Sequence, residues 1–469
     1  MNAEDLGYLP ATKLAAMIRA KDISPVEYMT SLLGRIQATE PKVNAFAFLA
    51  ADHAMAEAKK AEAKVMAGDS LGRLHGLPVT IKDLAITKDM PTQMGSLIFK
   101  GNQPAEEAPM VSRLKAEGAI VIGKTTTSEF GWTGVSHSPL TGITHNPWKH
   151  GYNAGASSAG AGAASAAGYG PLHQGSDGAG SIRMPSHFCG IFGLKPSFGR
   201  VPNYPVNTND MTSHAGPMTR TVADAALMLE VMAGPHPLDY SSLEAWPAPY
   251  SARLREGIKG KKIAYSPDLG LAKVDPEVAA LVKAAAKRCS ELGAIVEEVA
   301  TPWAAAGPEL VRFFWPAHMA RLIPHLEKWE SQMDQGLVAC IKESVSISVK
   351  DYQLMRDKKM AYVAGVHRWF EDWDLLLTPS VSVAAFPAEL LQPPHWPRHA
   401  WDWLSWAEFS HPFNMSWNPA SSVPCGFTEA GLPVGIQIVG RRFDDLGVLQ
   451  ASAAFETVQP WADKRPKLG

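Results

Sequence analysis

The segment from Ala154 to Gly170 constrains this chain more than any other, because it is built almost wholly from Gly, Ala and Ser. Residues this small let a backbone come very close to its neighbours. A second block follows, Gly175-Ser176-Asp177-Gly178-Ala179-Gly180-Ser181-Ile182-Arg183. There, small residues let consecutive N–H groups turn inward and form a nest for an anion near a helix start. A Ser hydroxyl beside such a nest suits acyl transfer, since the hydroxyl attacks while the amides hold the developing oxyanion. Close packing alone would explain the first block. Gly151 to Ser176 is 26 residues without a formal charge, but seven Gly and four Ser make it too polar and flexible for a membrane span.

The flanking sequence reads as α/β. Pro10 to Ala20 and Ser24 to Gln37 carry apolar residues at helical spacing, with Ser24-Pro25 as N-cap and first-turn pair, and 51–66 reads as a surface helix. The first 65 residues are therefore expected to be helical. Leu77 to Asp83 alternates like a strand, with Lys82 near its end, and Ala119 to Ile122 reads as a buried strand after a helix ending at Gly118. Lys262–Ser266, Asp374–Thr378 and Val434–Gly440 read as strands; Asp275–Gly293 and Leu446–Glu456 read as helices. No repeat and no linker divides the chain, so residues 1–469 are expected to form one domain with an irregular insertion near 385–420.

Composition narrows the function. With 44 Lys plus Arg against 46 Asp plus Glu, the net charge of −2 offers no footprint for nucleic acid. Met1 to Pro10 lacks the features of a signal peptide, and four scattered cysteines without a CxxC pair fit a reduced cytoplasm with no structural zinc. Gly118 to Thr125 matches the phosphate-loop pattern GxxxxGK[ST], yet its inner residues Ala, Ile, Val and Ile favour a buried strand over a flexible cradle. GxSxG and HExxH are absent, and none of the fifteen histidines sits in a recognisable catalytic context. A Ser nucleophile needs a base, and Lys82 qualifies if burial brings its pKa from about 10.4 to near 7.

Several motifs in one order resemble the amidase signature family. They are Gly76-Leu-Pro-Val-Thr-Ile-Lys82-Asp83, Gly155-Ala-Ser157-Ser158-Ala-Gly160, the block from Gly175 to Arg183, and Phe188-Cys-Gly-Ile-Phe-Gly-Leu-Lys-Pro196. Gly199-Arg-Val-Pro202, Pro419-Ala-Ser-Ser-Val-Pro424 and Gly431-Leu-Pro-Val-Gly-Ile-Gln-Ile-Val-Gly440 continue the match. The resemblance implies a large mixed β-sheet covered on both sides by helices. It also implies a Ser-Ser-Lys triad: Ser181 as nucleophile, Ser157 after a cis peptide bond as proton relay, and Lys82 as general base and then acid. The backbone amides of Gly178, Ala179, Gly180 and Ser181 would hold the oxyanion, and no cofactor or metal is implied. Two family Gly-rich stretches read Ala154-Gly-Ala-Ser-Ser-Ala-Gly160 and Ala179-Gly180 here, which costs little only where φ is negative. Asp177 and Arg183 are expected to pair and hold the loop, and Cys189 to be a buried small apolar residue.

The resemblance implies hydrolysis of a carboxamide, with esters as further substrates. Trp132 falls where the family places an apolar substrate contact. Five of fourteen tryptophans (Trp396, Trp401, Trp403, Trp406 and Trp417) crowd into the variable segment. That cluster suits an aryl or apolar substrate pocket, and equally a core or a homodimer contact. The expected partners are a small amide and water, without nucleic acid or membrane. A rival reading is the glutaminase subunit of a tRNA-dependent amidotransferase, whose carboxylate-binding Arg is matched only loosely, with Lys359 as the nearest basic residue. A dead scaffold is disfavoured, because all three triad residues are present.

Overall fold

Pro78 to Lys82 is buried at every position and pairs with a strand on each side, as its apolar alternation predicts. In the computed structural model, which describes residues 3–207 and 209–468, this strand belongs to an eleven-stranded mixed sheet. Its strands are β1 (Phe46–Leu49), β2 (Pro78–Lys82), β3 (Ile120–Thr125), β4 (Leu172–Asp177), β5 (Phe192–Lys195) and β6 (His214–Thr219). The second half supplies β7 (Lys262–Tyr265), β8 (Ile295–Glu298), β9 (Leu375–Pro379), β10 (Ala420–Phe427) and β11 (Pro433–Gly440). Across the sheet the order is β1-β3-β2-β4-β6-β5-β10-β11-β9-β7-β8.

The expected site residues lie where two parallel strands end together. β2 runs parallel to β4, with Thr80 opposite His173 and Ile81 opposite Gln174. Lys82 closes β2 and Asp177 closes β4, so both emerge at one edge, the place where open α/β sheets bind ligands. Helices cover both faces, and β11 shows how. Ile436 and Ile438 enter the main apolar core with Val282 and Leu449, whereas Gly435 and Gln437 meet His187 and Arg183 on the opposite face.

Two expectations of the sequence are corrected. The N-terminal 65 residues are not all helical, because Phe46–Leu49 is an edge strand paired with β3. The helix before β3 stops at Ala116 rather than Gly118. The helix α1 (Pro25–Val43) begins with the Ser24 cap and a capping box to Glu27, and it continues past Gln37 through Pro41. Gly123, Lys124 and Thr125 lie within β3, buried, so the phosphate-loop pattern is a strand. Residues 385–420 are largely irregular, with short turns of helix at Trp403–Trp406 and His411–Met415. No helix among the described residues is long and apolar enough to cross a membrane.

Candidate active site

Lys82 is fully buried and its ammonium nitrogen faces hydroxyls. Nζ donates to Ser157 Oγ at 2.8 Å, to Ser176 Oγ at 3.0 Å and to the Ser176 carbonyl at 3.2 Å. Burial pushes its pKa down to about 7, against the pull of the Asp177 carboxylate. An amine near neutrality beside an alcohol can take and return a proton at ordinary pH.

Ser157 follows a cis peptide bond from Ala156, and the helix α2 (Ala159–Ala167) starts two residues later. The small residues of this tract serve close packing as well: a Cβ on Gly160 would lie 2.1 Å from the Ala45 carbonyl oxygen. Ser158 ties the two Ser-bearing blocks together. Its N–H donates to the Ser181 carbonyl at 3.2 Å, and its hydroxyl donates to the Ser176 carbonyl at 3.0 Å. Lys82 and Ser157, far apart in sequence, thus meet directly beside half-buried Ser176, and buried Ser181 is tied to them through its carbonyl on Ser158; among the described residues its hydroxyl makes no hydrogen bond to Lys82 or Ser157.

The loop carrying Ser181 leads into the helix α3 (Arg183–Cys189) and is held by one carboxylate. Asp177 accepts from Gly180 N–H at 2.6 Å, from Ile182 N–H at 3.2 Å, and from Arg183 Nε and Nη2 at 2.9 Å each. Burial works against the Asp177 charge, but the Arg183 guanidinium outweighs it and keeps the carboxyl well below the ordinary carboxylate range. The same guanidinium reaches the Ser410 carbonyl, Asn414 and Gln437, so the expected Asp177–Arg183 pair anchors the loop to the far half of the chain. Gly180 has φ +111°, and a Cβ there would lie 2.6 Å from Ser410. Only glycine fits. With Gly180 N–H taken by Asp177, the amides of Gly178, Ala179 and Ser181 make no hydrogen bond to the described residues. Ala154, Ala156, Ala159 and Ala179 all avoid positive φ, so their Cβ atoms are accommodated.

Trp132 is buried, and its carbonyl accepts from Trp403 Nε1 at 2.8 Å and Trp315 Nε1 at 3.0 Å. Trp396, Trp401, Trp403 and Trp406 join it in one apolar cluster that also contains Ala179 of the Ser181 loop and Met184 of α3. Trp417 stands apart, under the Arg442 guanidinium. Cys189 is buried, with its thiol pushed up by burial. Among the described residues no group of three His, Cys, Asp or Glu could hold a metal ion.

Two features escape the sequence. Ser176 contacts Lys82 from inside the motif, where no spacing rule marks it. The turn Glu129–Trp132 passes close to Ser157, because a Cβ on Gly131 would sit 3.1 Å from Ser157 Oγ. Buried Glu129 holds that turn: its carboxylate accepts from Ser96 Oγ and from Asp334 N–H, each at 2.7 Å.

Comparison with known proteins shows the family and the fold. The profile of the Amidase family matches residues 27–449. An acylamidase from Rhodococcus erythropolis is 38% identical over 476 residues, covering 99% of this chain and 98% of the relative. A glutamyl-tRNA(Gln) amidotransferase subunit from Moorella thermoacetica is 34% identical over 490 residues, covering 99% of each. Among solved structures, a bacterial aryl acylamidase of the amidase signature enzymes superposes with a TM-score of 0.90 at 29% identity, covering 97% of both chains. A 6-aminohexanoate cyclic dimer hydrolase gives the same TM-score at 27% identity, over 98% of this chain and 99% of the other.

Proposed function

The chain belongs to the amidase family, and on that premise we propose that it hydrolyses aryl or otherwise apolar carboxamides through an acyl-enzyme on Ser181. Neutral Lys82 takes a proton from Ser157, which takes one from Ser181 as the Ser181 oxygen attacks the amide carbon. The oxyanion is held by the amides of Gly178, Ala179 and Ser181. Collapse breaks the C–N bond, and the proton returns from Lys82 through Ser157 to the leaving nitrogen. Water then attacks the acyl-enzyme by the same relay, and esters enter through the same intermediate.

The observation carrying this reading is the contact of buried Lys82 with Ser157, 2.8 Å from nitrogen to oxygen. The preference for apolar substrates rests on the tryptophan cluster, which runs without a break from Trp396 to Ala179 beside the proposed oxyanion donors. Kinetics on an anilide, a primary arylacetamide and a charged aliphatic amide test it. The first two should exceed the third in kcat/KM by about tenfold or more, as expected where a charged group enters an apolar site; equal or inverted rates would refute the apolar pocket.

The 34% identity to the amidotransferase protein supports a second reading, a glutaminase supplying ammonia to a partner. Against it stands the state of Lys359, the residue nearest to the expected carboxylate receptor. It is buried, and Nζ donates to Asp210 Oδ2 at 2.8 Å, so its charge is already answered. Glutamine hydrolysis faster than anilide hydrolysis would favour the glutaminase instead.

A further inference from the structure

Glu129 is a fully buried carboxyl that the proton relay does not use, and it stands two residues before Gly131, whose Cβ would lie 3.1 Å from Ser157 Oγ. Ser96 Oγ donates to one of its oxygens and the Asp334 N–H to the other, each at 2.7 Å. Among the described residues no cation acts on it, and burial pushes the carboxyl up to about 7. A carboxyl kept in the interior without a cation costs folding free energy, so stability alone does not explain it. Its position does.

Asp334 caps the helix α6 (Gln335–Ser344). This helix belongs to an outer segment, residues 320–344, which follows α4 (Gly307–Met319), also holds α5 (Ile323–Trp329) and contributes no strand to the sheet. The segment meets the turn Glu129–Trp132 along its length. The Phe130 ring lies parallel to His325 with centroids 6.5 Å apart, and the Arg321 guanidinium is 6.0 Å from its centre. A Cβ on Gly336 would lie 2.5 Å from the Trp132 ring, so the start of α6 is seated on that indole. Ser157 is close on the inner side. Within the turn, Phe130 has φ +50°, a left-handed conformation that a bulky residue keeps only where its surroundings enforce it. The Asp334–Glu129 hydrogen bond joins outer segment and turn at the residue just before this strained one.

We propose that Glu129 is a positioning residue: by receiving the Asp334 N–H it locks the turn Glu129–Trp132 between the outer segment and Ser157, and so aligns the Ser157 hydroxyl with Lys82. The role rests on the acyl-enzyme reading and extends it to a residue outside the triad. Proton transfer depends on alignment, so release of the turn should slow the chemical step. Substrate binding should change less, because the Trp132 carbonyl is held independently by the indoles of Trp403 and Trp315.

Steady-state kinetics on the amide that the wild type turns over best test this. Glu129→Leu, which breaks both hydrogen bonds, should lower kcat per folded molecule by about tenfold or more, with KM changed by less than about threefold. Glu129→Gln should stay within about threefold of wild type, because its amide oxygen still accepts the Asp334 N–H and its NH2 donates to Ser96 Oγ. The same bond can be cut from the other side. Asp334 has φ −58°, which proline adopts, so Asp334→Pro removes the N–H where Asp334→Ala keeps it, and both lose the carboxylate. The proline variant should have a kcat about tenfold below that of the alanine variant, and this pair carries the test if Glu129→Leu does not fold. Wild-type kcat in folded Glu129→Leu, a loss in Glu129→Gln as large as in Glu129→Leu, or equal kcat in the two Asp334 variants overturns this inference and leaves the hydrolase reading standing. Wild-type protein that turns over no amide would remove the hydrolase reading, and this inference with it.

Discussion

Two buried lysines stand on adjacent strands of the sheet, one position apart in the β2–β3 register, and their surroundings separate the proposed base from a clamp. Lys82 lies beside Thr125, and Lys124 beside Ile81. Burial lowers both, Lys82 to about 7 and Lys124 to about 8. Desolvation therefore does not distinguish them. Partners do. Lys124 Nζ donates to the carbonyls of Ala85 and Pro91 and to the hydroxyls of Thr87 and Thr92, with the Asp83 carboxylate at 3.8 Å. Carbonyls and a carboxylate can only accept, so they favour the charged amine and fasten the loop after β2. Lys82 meets two serine hydroxyls, which both accept and donate, and the Ser176 carbonyl, but unlike Lys124 it has no carboxylate within ion-pair distance among the described residues. A proton can therefore travel through its contacts.

Substitutions can break that contrast. The largest effect is expected from Ser181→Ala, which should lower kcat/KM by about 10⁴-fold or more with the thermal transition nearly unmoved. Lys82→Met should cost about 10³-fold or more and remove the acid limb from whatever activity remains. Its effect on stability has a definite sign. Lys82 titrates near 7 when folded and near 10.4 when unfolded, so between those values the unfolded chain binds more protons. Its burial penalty is complete below about pH 7 and fades as pH rises toward 10.4. Melting temperatures of wild type and Lys82→Met should therefore converge on the alkaline side, with the variant at its greatest relative advantage at about pH 6.

Lys124→Met should behave in the opposite way. It strands the Asp83 carboxyl in the interior, which is expected to cost about 3–5 kcal/mol in denaturant unfolding. Activity per folded molecule should stay within about tenfold of wild type. A Lys124→Met protein that folds well but loses turnover as Lys82→Met does would erase the distinction. The smallest effect belongs to Gly131→Ala, at φ +74°, whose new methyl would meet Leu84 Cδ1 at 3.0 Å and Ser157 Oγ at 3.1 Å. A drop of about tenfold in kcat, on the scale of losing good alignment in a proton transfer, with KM little changed, would place that turn against the relay.

Much of this was legible in the sequence, and the exceptions have physical causes. β2 showed itself because an apolar alternation ended in a lysine, and Gly118 to Thr125 because Ala, Ile, Val and Ile outweigh a letter pattern. β1 stayed hidden: four residues, Phe46–Leu49, between two strong helices give periodicity too little length to register. The five-tryptophan run was visible as composition, yet its division into a cluster of four against the Ser181 loop and a Trp417 packed against a different apolar cluster is a matter of tertiary packing. Gly180 was readable as a nest residue, but not that its N–H would be given to Asp177.

The central claim is that neutral Lys82 draws a proton through Ser157 from Ser181. Fluorophosphonate labelling followed over pH, with the site located by peptide mass spectrometry, addresses it most directly. The account predicts modification at Ser181, with a rate that rises through a single inflection near pH 7 in the wild type and is strongly reduced in Lys82→Met. Labelling at another residue, or a rate that stays flat down to about pH 4, would contradict it.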